Sequence, residues 1–129
     1  MSAPRTSRKT ARRQALFLLY QWDLTGQELA SLFEGEPDDF ARSLAESVMS
    51  KAPGLDARIS GASPDWPADR LGTLERNILR IGVYELEEET VPREVAINEA
   101  VVLAKRYATE DASRLVNGIL GRIAREEAA

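Results

Sequence analysis

Leu74-Glu75-Arg76-Asn77-Ile78-Leu79-Arg80-Ile81-Gly82-Val83-Tyr84-Glu85-Leu86 is the most informative segment of this chain. Leu74, Ile78 and Ile81 make one apolar stripe at helical spacing, and Leu79, Val83 and Leu86 make a second. A helix that is apolar on more than one face must be surrounded, so this segment is expected to be central and buried. Elsewhere, too, apolar residues recur at three and four rather than two, which predicts an all-α protein. Downstream, the acidic run Glu85 to Glu89 with Thr90 closes the central helix. Pro92 then suits the first position of a helix burying Val95, Ala96, Ala100, Leu103, Ala104 and Tyr107. Thr109 or Asp111 caps a last helix that buries Leu115, Val116, Ile119, Leu120 and Ile123.

Upstream, Thr73 is the expected cap, preceded by a short turn at Ala68 to Leu71 and a loop from Gly61 to Pro67 carrying Trp66. Before that, Pro37 and two aspartates open a helix with Phe40, Leu44 and Val48 on its stripe. Pro53-Gly54 should kink or end it, with Leu55 and Ile59 continuing the stripe. A short apolar piece spans Gln27 to Phe33. The first helix, capped by Thr6 or Ser7 and stopped at Thr25-Gly26, should bury Ala11, Ala15, Leu18, Leu19 and Trp22. With short connections the helices should form one domain over residues 1–129.

Composition narrows the chemistry. The chain has neither histidine nor cysteine, which removes disulfides, thiolate nucleophiles, Ser-His-Asp sets and Cys/His zinc sites. No glycine-rich phosphate loop is present, so the expectation is a binding protein with no catalytic residue, cofactor or metal. At 29% charged residues, and with no apolar run near the roughly 18–20 residues of a membrane helix, a cytoplasmic protein is expected. The net charge of -4 conceals a basic start: Arg5, Arg8, Lys9, Arg12 and Arg13 lie in a segment without acids.

On a helical wheel these cations share one broad side that adjoins the buried stripe, and Leu16, Phe17 and Tyr20 continue it. Cations followed by rings suit single-stranded RNA, where Arg meets phosphates and a ring stacks a base for about 1–3 kcal/mol. A solvated basic tail is the simpler reading, with Phe17 and partly Tyr20 packed in the core. Asn98, Asn117 and Gly118 also stand out, because none favours a helix interior. The two asparagines are read as buried hydrogen-bonding groups and Gly118 as a close helix contact.

The quoted central segment, then Val95-Ala96-Ile97-Asn98-Glu99-Ala100-Val101 with Leu103-Ala104-Lys105, then Arg114-Leu115-Val116-Asn117-Gly118-Ile119-Leu120, resemble in order and spacing the diagnostic blocks of the NusB family. Arg12-Arg13-Gln14-Ala15-Leu16 and Tyr20-Gln21-Trp22 are similar to its opening helix. The likeness covers nearly the whole chain and is weakest over residues 27–65. It implies two packed helical bundles of about seven helices and a role in transcription antitermination. The implied partners are boxA-type single-stranded RNA, NusE (a small-subunit ribosomal protein) and the RNA polymerase elongation complex, notably on ribosomal RNA operons. By position it implies RNA contact at Arg8, Arg12, Arg13, Gln14 and Tyr20 and at the junction Glu110, Asp111, Arg114 and Leu115. Leu115 stands where relatives often carry an aromatic. Partner contact is implied at Glu75, Arg76 and Tyr84. Two other readings accompany it: a homodimeric interaction module, and an accessory domain like the N-terminal part of certain ribosomal RNA cytosine methyltransferases.

Overall fold

A computed structural model of the chain describes residues 7–32 and 38–128. Among them are five α-helices: α1 (Arg8–Thr25), α2 (Asp39–Ala62), α3 (Thr73–Glu88), α4 (Arg93–Tyr107) and α5 (Glu110–Ala128). Two 3₁₀ turns, Leu29–Leu32 and Ala68–Arg70, complete the described helical elements. α3 packs on all four other α-helices, so α1–α2–α3 and α3–α4–α5 form two packed sets sharing the central helix. That follows from its two apolar stripes: Ile78, Leu79, Ile81, Val83 and Leu86 are all buried. No described helix is long and apolar enough to cross a membrane.

Local chemistry sets the ends. The Ser7 hydroxyl accepts from the Thr10 amide at 3.2 Å, and Gly26 closes α1 in the left-handed region at φ 74°. Asp38 accepts from the amides of Phe40 and Ala41 to start α2, and Thr109 accepts from the Ala112 amide to start α5. Thr6, Phe33 and Pro37, assigned structural parts above, lie outside the described residues. Gly72 rather than Thr73 caps α3, and Pro92 is the cap rather than the first residue of α4. Glu89 ends α3 at φ 53°, a left-handed conformation that costs an L-residue about 1–2 kcal/mol. Glu89→Gly is therefore expected to stabilise the fold by about 0.5–1 kcal/mol after the extra unfolded-state entropy of glycine is counted. A urea midpoint that stays put or falls would refute this.

Several sequence expectations need correction. Pro53-Gly54 does not end α2, which continues to Ala62. Pro53 is exposed, while Val48, Ala52, Leu55 and Ile59 are buried on either side of it. Packing of that stripe outweighs the hydrogen bond that proline cannot make. Leu16 belongs to the core at 0% exposure, whereas Leu18 and Trp22 are half-buried. Val95 is exposed, and Tyr107 and Leu115 are only half-buried. Asn98, Asn117 and Gly118 all face outward, and a Cβ on Gly118 would meet nothing within 4 Å. The expected roles fall to other residues. The buried asparagine is Asn77, and the tight glycine is Gly82, whose added Cβ would come within 2.6 Å of Leu120 Cδ1.

Two polar systems sit inside this packing. Arg12, 3% exposed, donates from Nε and Nη2 to the two carboxylate oxygens of buried Glu85, both at 2.8 Å, and so ties α1 to α3. The second centres on Arg80. Its Nε and Nη2 donate to Asp56 at 2.7 Å, and its Nη1 donates to Asp23 and to Asn77 Oδ1 at 3.0 Å. Asn77 Nδ2 donates onward to Asp23 at 3.0 Å. Burial disfavours the charged Arg80, but its bonds to Asp56 and Asp23 outweigh that and hold the guanidinium above its ordinary value. No buried side-chain polar atom among the described residues lacks a partner.

Candidate nucleic-acid interface

The first helix presents its outer side to α4. Lys9 Nζ lies 3.8 Å from Glu99, and the Phe17 ring meets Tyr107 edge-on with centroids 5.1 Å apart. Both pairs are eight residues apart on each helix, so α1 and α4 run in the same direction, bridged by long side chains. Arg13 falls halfway between Lys9 and Phe17 on that face. It is half-buried and makes no ion pair or hydrogen bond among the described residues. Arg106, at the far end of α4, is exposed and lies 5.4 Å from the Tyr107 ring. The seam thus carries cations along its length and an aromatic pair at its end, next to the turn into α5.

That arrangement joins two regions that are far apart in sequence. Tyr107 is three residues from Glu110, so the α1–α4 seam ends beside the Glu110–Leu115 junction. At the junction Glu110, Asp111 and Arg114 are exposed, with Arg114 Nη1 donating to Asp111 at 2.9 Å. This exposed pair opens at little cost, so Arg114 is available to a phosphate. Leu115 is half-buried against the core. Arg8 and Gln14 are exposed, and the Arg8 guanidinium sits 5.2 Å over the Phe40 ring. Arg5 lies outside the described residues.

Arg12 departs from its expected place. It lies in the buried stripe of α1, and its donors are taken by Glu85, whose hydrogen bonds hold the guanidinium above its ordinary value. It cannot meet a phosphate while that pair persists, so the outward cations of α1 are Lys9 and Arg13 on the α4 side and Arg8 over Phe40 of α2. Conversely, Phe17 is 43% exposed rather than core, and Arg106 and Tyr107 join the surface without having been singled out. The adjacent Lys105-Arg106-Tyr107 at the end of a predicted helix was the available signal.

The residues assigned to partner contact separate. Glu75 lines an open groove of roughly 400 Å³ with Phe17, Tyr20, Thr73, Leu74 and Tyr107. Its carboxylate folds back over Gly72 at the start of α3, where the helix dipole favours an acid. Tyr20 shares this groove, so one site combines a residue assigned to RNA with one assigned to a partner. Arg76 is committed internally: it is paired with Asp23 at 2.8 Å and donates to the carbonyls of Ala68 and Leu71. Tyr84 is nine residues from Glu75, which puts it on the opposite side of α3, under Lys51 of α2 at 5.3 Å.

The profile of the NusB family matches residues 9–125. The chain is 43% identical over 121 residues to the transcription antitermination protein NusB of Rubrobacter xylanophilus, covering 88% of this chain and 87% of the relative. A T. maritima NusB structure superposes with a TM-score of 0.84 at 32% identity, covering 95% of this chain and 94% of the other. A crystal structure of the antitermination factors NusB and NusE in complex with dsRNA gives 0.81 at 32% identity, covering 92% and 96%.

Proposed function

The chain belongs to the NusB family, and from that premise we propose that it is a transcription antitermination factor, not an enzyme, that binds boxA-type RNA together with NusE and works within the RNA polymerase elongation complex. The observation that carries the RNA reading is the Phe17–Tyr107 contact, which brings the outer side of α1 to the end of α4, beside the α4–α5 junction. On these elements Arg8, Lys9, Arg13, Arg106 and Arg114 supply phosphate contacts, and Gln14, Glu110 and Asp111 offer polar groups to bases and ribose. Exposed Phe17 and half-buried Tyr20 and Tyr107 offer rings on which bases can stack. NusE docks at the groove of Tyr20 and Glu75, so the two partners meet along α1.

The test is binding of a boxA RNA, a scrambled RNA and a duplex, each with and without NusE. Each single-strand phosphate contact contributes about -0.7 to the log–log salt slope, so three to five contacts predict a slope of roughly -2 to -3.5. Arg13→Ala is expected to reduce the slope by about 0.7 while leaving stability within about 0.5 kcal/mol, since Arg13 has no ion pair or hydrogen bond among the described residues. Equal affinity for boxA and scrambled RNA in the presence of NusE would reduce the function to non-specific binding.

A further inference from the structure

We infer that the cleft between α4 and α5 is a base-reading extension of the RNA surface, in which the carboxamides of Asn98 and Asn117 bind the edge of an unstacked nucleobase. The inference rests on the RNA reading above. Asn98 and Asn117 face the same open cleft, about 830 Å³ in volume, and neither makes a hydrogen bond among the described residues. α4 and α5 are joined by two residues and run antiparallel. Asn98 lies nine residues before Tyr107, on the opposite side of α4 from that ring, and Asn117 seven after Glu110, which sets the two amides at nearly the same height, offset by about 3 Å. Asparagine is a poor helix former, and Gly118 beside Asn117 is a worse one. Neither amide gains a hydrogen bond among the described residues in return, and Gly118 has open space where its Cβ would be. Residues that break a local rule without a packing gain point to an external ligand.

The rest of the cleft selects the ligand's chemistry. Ile97 and Val101 give an apolar floor, suited to the face of a base. Lys105, about two turns from Asn98, and Arg114, less than one turn from Asn117, stand toward the junction, where the RNA backbone would cross. Glu94 and Glu110 also line the cleft and cancel those two charges. A cleft of no net charge repels a phosphate chain less than it welcomes a neutral base. Carboxamide and carboxylate acceptors together suit an exocyclic amino group, so adenine, cytosine or guanine is favoured over uracil. Continuity with the junction through Glu110 and Arg114 favours RNA over a protein segment as the occupant.

The experiment measures affinity of the full chain, alone and with NusE, for a boxA RNA extended at both ends and for a series with one abasic site at each position. Asn98→Ala and Asn117→Ala are each expected to weaken binding about 5- to 20-fold with the salt slope unchanged, because a neutral contact is lost. One abasic position should cost the unmodified protein a similar factor and cost the double variant nothing. Both variants should melt no lower than the unmodified protein, alanine being the better helix former. Affinities within twofold for every RNA overturn the inference while leaving the general RNA reading intact. So does a reduced salt slope, which would place phosphates in the cleft, or a loss of NusE binding without RNA, which would place protein there. If the unmodified chain binds no RNA under any condition, both readings fall.

Discussion

Arg12→Ala is expected to destabilise the protein by about 3–5 kcal/mol and to leave the salt slope of RNA binding unchanged in whatever fraction stays folded. The two side chains are each 4% exposed and meet in a two-point contact at 2.8 Å. Removing one partner strands the Glu85 carboxylate inside the α1–α3 contact, where water cannot replace the guanidinium. That loss is large against the roughly 5–15 kcal/mol that holds a domain of ordinary stability. Arg12→Met combined with Glu85→Leu should recover most of it, because an apolar pair of similar volume carries no stranded charge. Urea denaturation of the three variants checks the order. Were Arg12→Ala instead to keep its stability within about 1 kcal/mol and shift the salt slope by about 0.7, Arg12 would be a phosphate contact after all.

Arg80→Ala should cost a similar amount, about 3–5 kcal/mol, by a different route. Arg80 is 5% exposed and joins Asp23 of α1, Asp56 of α2 and Asn77 of its own helix. Its removal leaves two carboxylates without their shared cation, although Asp23 keeps Arg76. Asp56→Asn should be milder, at about 1–2 kcal/mol, because that side chain is 29% exposed and water takes over part of its role. The network anchors the C-terminal half of α1 to the start of α3, the two elements that frame the Tyr20–Glu75 groove. Partly denatured Arg80→Ala should therefore lose NusE affinity before losing RNA binding at the N-terminal end of α1. Thermal melts and NusE titration of the same preparation test both statements. An Arg80→Ala protein as stable as the original would mean the network is neutral in energy.

Much of this architecture was legible in the residues. The double stripe of Leu74 to Leu86 placed α3 at the centre, and Ser7, Gly26 and Thr109 marked helix ends by chemistry that acts over a few bonds. Pro53 misled because its local cost is real but smaller than the packing of the helix around it. Arg12, Asn98 and Asn117 misled in opposite directions for one reason. Residue type predicts average burial, and a buried Arg or an outward Asn is decided by what a distant segment brings opposite it.

An all-α protein with a buried central helix, a basic first helix and no Cys or His chemistry follows from the residues alone, since periodicity, capping and composition are properties of neighbouring residues. Which charges face outward depends on how the helices pack. Glu85 is 73 residues from Arg12, and their pairing withdraws one of the N-terminal cations into the core. Tyr107 is 90 residues from Phe17, and their contact brings a helix face beside a distant turn. Contacts of that separation are set by how whole helices pack, so no local pattern announces them.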